Sequence, residues 1–102
     1  QFFAVQTLFY INISIRTANG PRRFARFELG NDGEAARALF KNLKGSPEID
    51  PQDILFIEFM ETANDLPLHL DMLTCDLQEL SINTMLITQE IFRLSNLKNN
   101  QS

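Results

Sequence analysis

The sequence has no tryptophan, one tyrosine, one histidine and one cysteine in 102 residues. The lone Cys75 excludes an internal disulfide framework and favours a reducing compartment. Gln1 to Ile15 is apolar in part but has no basic stretch at its start, so no signal peptide is expected there, and a cytoplasmic protein is the expectation. That segment is also too short and too polar to cross a membrane, which takes about 20 apolar residues. There is no paired-cysteine motif, no His–Cys cluster and no helical His-Glu-x-x-His, so neither a metal nor a cofactor is expected. The four glycines fit neither a dinucleotide-binding nor a phosphate-binding loop. Positive charge is in deficit, with nine Lys and Arg against 13 Asp and Glu, a net of −4. Nucleic-acid binders are usually basic, so that function is not expected.

What is present is a well-supplied core. The composition is 44% hydrophobic and 22% charged, with nine phenylalanines, which suits one globular domain over residues 1–102. The charge is unevenly spread. Residues 1–45 carry Arg16, Arg22, Arg23, Arg26, Arg37, Lys41 and Lys44 against Glu28, Asp32 and Glu34, a net of +4. Residues 46–102 carry Arg93 and Lys98 against ten acids, a net of −8. The simpler expectation is that the halves lie side by side and pair these charges. The sharper one is a basic end and an acidic end facing a charged partner.

Apolar residues alternate from Phe3 through Val5, Phe9, Ile11 and Ile13 to Ile15, the period of a strand with one buried face. Thr17-Ala18-Asn19-Gly20-Pro21 turns the chain, and Arg23 to Leu29 returns as a second strand. Asn31 or Asp32 is placed to cap a helix whose Ala35, Ala36, Leu39, Phe40 and Leu43 recur at helical spacing. Gly45 is expected to close that helix and Pro47 to prevent its extension. After the linker 46–53, a third strand runs from Ile54 to Glu61 and a fourth from Leu66 to Leu73, with Leu66, Leu68, Leu70 and Met72 inward. Asp76 and Glu79 have capping-box spacing at the start of a long helix reaching about Leu97, followed by a frayed tail from Asn99.

Two strand–strand–helix halves, about 3–45 and 54–98, echo each other in Thr17-Ala18-Asn19 and Thr62-Ala63-Asn64. The fold predicted is α+β in the order ββαββα: a four-stranded antiparallel sheet with both helices packed on one face. A right-handed crossover between the halves gives the strand order 2-1-3-4. The core expected is Phe9, Ile11, Ile13, Phe27, Leu39, Phe40, Ile57, Phe59, Leu68, Leu70, Leu80, Ile87 and Ile91.

No set of residues forms a catalytic constellation. His69 and Asp71, two apart on a strand, are expected to point the same way and could do acid–base work, but two polar residues on a solvated face are the simpler reading. Cys75 at a helix start could be activated by the dipole, although free cysteines are commonly small buried hydrophobes. Arg16 and Arg26 share an outward face with Tyr10 and Phe24. If a ligand binds, Arg16, Arg26, His69 and Asp71 are the candidates, and the ligand is a small anion, because guanidinium matches carboxylate and phosphate. The long helix has Leu77, Leu80, Thr84, Ile87, Ile91 and Leu94 on one stripe. Nearly opposite lie Ile82, Met85 and Phe92, with Leu86 beside them, where a monomer's surface helix should be polar. These four, with Tyr10, Phe24, Phe56 and Met60 on the sheet, are the candidate interface. The function expected is a non-enzymatic protein-interaction or self-association module, with a homodimer or a protein partner. The alternative is an anion-binding protein or enzyme using the open sheet face.

Overall fold

The computed structural model describes the backbone of residues 7–99 and the side chains of residues 7–95. Phe3 and Val5 of the expected first strand, and the tail beyond Asn99, lie outside the described residues. The elements are β1 (Thr7–Thr17), β2 (Gly20–Gly30), α1 (Gly33–Asn42), β3 (Leu55–Ala63), β4 (Leu66–Cys75) and α2 (Leu77–Asn99). The strands form one antiparallel sheet in the order β2-β1-β3-β4, with both helices on one face, as the pattern predicted.

Local chemistry explains the boundaries. Asp32 is the N-cap of α1, its carboxylate accepting from the Ala35 N–H at 3.1 Å. The capping box of α2 is closed both ways: Glu79 N–H donates to Asp76 at 2.8 Å and Asp76 N–H donates to Glu79 at 3.0 Å. The β3–β4 hairpin turns on Asn64 and Asp65, both at positive φ, the arrangement that matches strand twist in a two-residue loop. Gly45 has a different task from the helix stop expected of it. α1 ends at Asn42, Leu43 leaves in extended conformation, and Gly45 passes against the edge of β4 where Ser46 bridges Thr74.

The core lies between the helices and the inner face of the sheet. Phe9, Ile11 and Ile13 of β1 and Ile57 and Phe59 of β3 meet Ala36, Leu39 and Phe40 of α1 and Ile87 of α2. Phe40 stacks on Phe59 with ring centroids 5.2 Å apart. Phe27, Leu80 and Ile91 pack at its margin. Leu68 and Leu70 do not belong to it: both are exposed, together with Leu66. A bulge displaces Leu70: Phe59 is in register with Asp71 but Met60 with His69, so Leu70 is an extra residue and the alternation changes phase there. Leu66 and Leu68, level with Ala63 and Glu61, stay on the inner face but lie outside the buried cluster. Toward the C-terminus of β4 it is Leu73 and Cys75, not Met72, that pack against the core. Leu77 also departs from the expected stripe, since it begins α2 beyond the sheet and is exposed. Among the described residues no helix is long and apolar enough to cross a membrane.

Candidate functional site

The outer face of the sheet is the surface that the helices leave open. It carries Tyr10, Asn12, Ser14 and Arg16 from β1, and Arg23, Arg26 and Glu28 from β2 in register with them. Phe56, Glu58 and Met60 of β3 and His69, Met72 and Thr74 of β4 complete it. Two bulges in β2, at Phe24 and Leu29, alter the edge strand's course. Phe24 is the extra residue of the first and stands exposed.

The arginines cover the aromatic residues of this face. Arg26 lies 3.9 Å from the Tyr10 ring centroid and Arg16 lies 5.3 Å from that of Phe56. Tyr10 and Phe56 are consequently 4% and 9% exposed within one chain, so neither is open to a partner as the interface reading required. Met60 is partly buried and Phe24 remains available. Arg16 is also tied down by its Nη1, which donates to the Pro51 carbonyl at 2.7 Å.

The four ligand candidates do not converge. Asn12, level with Arg26, is four residues along β1 from Arg16, about 13 Å at strand rise. His69 stands on β4, three strand spacings or about 14 Å across the sheet from β2, which holds Arg26. The Leu70 bulge puts Asp71 in register with inward-facing Phe59 and His69 with outward-facing Met60, so the two do not share a face. The acidic neighbour of His69 is Glu58, 3.7 Å from its Nε2.

The charge halves make no direct ion pair with each other among the described residues. The ion pairs are Arg26–Glu28 at 3.4 Å and Arg93–Glu90, and His69 lies 3.7 Å from Glu58, each contact within one half. The sheet is therefore polar across its strands. The β1–β2 hairpin carries Arg16, Arg22, Arg23 and Arg26 against Glu28, while the β3–β4 hairpin carries Glu58, Glu61, Asp65 and Asp71.

Two buried asparagines escaped the sequence reading. Asn12 is buried in the middle of the outer face, and its Oδ1 has no hydrogen-bond partner among the described residues. Asn83, in α2, is fully buried and fully used: it accepts from the Lys44 N–H at 2.6 Å and donates to the Lys44 carbonyl at 2.8 Å. Asparagine in mid-helix is the only local signal for it, and its partner is 39 residues away.

Cys75 is not an activated thiol. Burial, followed by the charges of Glu79 and Asp76, pushes its pKa up from 9.0 to about 11. A two-unit rise reduces the thiolate fraction about 100-fold near pH 8, and the thiolate is the reactive form. The native protein should therefore react with an aromatic disulfide reagent about 100-fold more slowly than the same chain unfolded in denaturant. Equal rates would contradict the assignment. Because the folded pKa is the higher one, the associated stability is fully present below pH 9 and is lost as pH rises toward 11.

The helical layer offers a second surface. At 100° per residue, Gln78, Ser81, Ile82, Met85, Thr88, Gln89, Phe92 and Ser95 occupy an arc of about 140° on α2, away from the core-facing Asn83 and Ile87. None of them is charged. Ile82, Met85 and Phe92 are 40%, 52% and 69% exposed. Leu86, the fourth helix candidate, packs instead against the core at the α1 side. No protein family matches the chain, and no curated protein or solved structure matches it either.

Proposed function

We propose that this chain is a non-enzymatic interaction module that works by self-association, with a second copy docked on the outer face of α2. The observation that carries this reading is the uncharged arc holding Ile82, Met85 and Phe92. α2 is 23 residues long, about 34 Å, and over its described side chains that arc holds no charge, although 22% of the chain is charged. Interface centres are depleted in charge and enriched in methionine and aromatic residues. A two-fold dimer sets the same patch against itself, so a charge on or near the axis would meet its own copy, and an uncharged patch avoids that conflict. Full burial of a large apolar side chain is worth about 1.5–3 kcal/mol; docking would gain the part still exposed, 40%, 52% and 69% for Ile82, Met85 and Phe92, from each of two copies.

Sedimentation or light scattering across a concentration range is expected to give twice the 11.7 kDa chain mass, with little dependence on salt. Phe92→Glu should return the protein to a folded monomer whose melting temperature no longer depends on protein concentration, because Phe92 makes little use of the core and only the dimer's contribution is lost. A monomer at every concentration, or a dimer that survives both Phe92→Glu and Met85→Glu, refutes the reading.

A further inference from the structure

The outer sheet face is hollowed at the end near the β1–β2 turn. The linker that follows α1 crosses the edge of β4 through the Ser46–Thr74 bridge, and Ile49 of that linker joins the sheet residues around the depression. The hollow encloses about 780 Å³ and is lined by Arg16, Arg23, Ile49, Phe56, Glu58 and Met72, among others. That volume falls within the range of small-molecule sites, about 300–1,000 Å³.

Its lining is divided by character. Ile49, Phe56 and Met72 are apolar. Arg16 is already oriented by the Pro51 carbonyl and the Phe56 ring, which lowers the cost of ordering it for a ligand. Arg23 is level with Ser14, exposed, and makes no ion pair among the described residues. The one acid among the lining residues, Glu58, is level with Met72 and two residues along β3 from Phe56, about 7 Å at strand rise; its carboxylate lies 3.7 Å from His69 Nε2, and the two arginines outnumber it.

We propose that this hollow binds a small amphipathic anion. Arg16 and Arg23 hold a carboxylate or phosphate group, and an aromatic or aliphatic body lies on Ile49 and Met72, beside the Arg16 guanidinium that caps Phe56. The site is separate from the α2 face, so it stands or falls independently of self-association.

The test is an amide-shift titration of the labelled protein, run on the Phe92→Glu variant to remove any dimer. Phenyl phosphate and 3-phenylpropionate are the probes, with inorganic phosphate and phenol as controls. At least one aromatic anion is expected to saturate, with shifts centred on Ser14, Arg23, Phe56 and Met72, and the stronger of the two identifies the anionic group. Arg23→Ala, at an exposed position, should weaken it about 10-fold or more, the scale of a lost charge-assisted hydrogen bond. Failure of both anions to saturate by about 10 mM overturns the proposal. So does inorganic phosphate or phenol binding as tightly as the aromatic anions, or unchanged binding in Arg23→Ala.

Discussion

Asn83→Ala should lower the unfolding free energy by about 2–3 kcal/mol, near the upper end of what one polar side chain contributes in a small protein. Asn83 is buried at 0% exposure and sits on α2 opposite the exit of α1. Its amide accepts from the Lys44 N–H at 2.6 Å and donates to the Lys44 carbonyl at 2.8 Å, as a neighbouring strand would. α1 has just ended, and no further helical turn follows to use these groups. Removing the amide breaks two bonds and leaves a space beneath α2 beside Ile87, so losses of bonding and packing add. In a chain of this length each kcal/mol corresponds to about 4–8 °C in melting temperature, and calorimetry will resolve the change. Asn12→Ala is the control. Asn12 is also buried, but its Oδ1 has no partner to lose among the described residues, so its truncation is expected to cost under about 1 kcal/mol. Equal losses in the two variants would mean that the Lys44 clamp contributes nothing beyond burial.

The second large effect is expected at Gly45. Its φ is +151°, and an added Cβ would overlap the carbonyl oxygen of Thr74. That oxygen is backbone and cannot swing aside, because it accepts from Ser46 N–H at 2.9 Å while Thr74 N–H donates to the Ser46 carbonyl at 2.8 Å. Gly45→Ala therefore has to break this bridge or bend β4, at a cost of about 2–4 kcal/mol. Gly20→Ala separates conformation from contact. Gly20 has φ +106° with nothing near its Cβ position, so only backbone strain of about 1–2 kcal/mol is expected there. A Gly45 variant no less stable than the Gly20 variant would remove the close approach as an explanation. The bridge also anchors the linker that brings Ile49 to the hollow, so Gly45→Ala should weaken anion binding as well as stability.

Short-range patterns were legible because their causes are short-range. The alternation from Phe9 to Ile15, the Asp32 cap and the Asp76–Glu79 box each depend on residues within a few positions of one another, and each formed as expected. The strand order followed from the handedness of crossovers, a general constraint on chains of L-residues. The exposed apolar side of α2 was legible too, since helical spacing separates Ile82 and Phe92 from Ile87 whatever packs beneath.

What the tertiary structure decided is where those patterns are interrupted and what comes to rest beside them. No local signal marks Leu70 as a bulge, yet that one residue turns Asp71 away from His69 and takes Leu70 out of the core. Strand alternation assumes an unbroken ladder, and register is a property of two strands together. Tyr10 and Phe56 read as exposed aromatics until Arg26 and Arg16 fold over them from positions 16 and 40 residues away in the chain. Asn83 and Gly45 owe their importance to Lys44 and Thr74, and the hollow exists because a linker crosses a strand edge. By itself the sequence determined the elements, their order and the apolar helix face, since local sterics and hydrogen bonding act within a few residues. The sites depended on long-range contacts, whose partners are chosen only when the whole core closes.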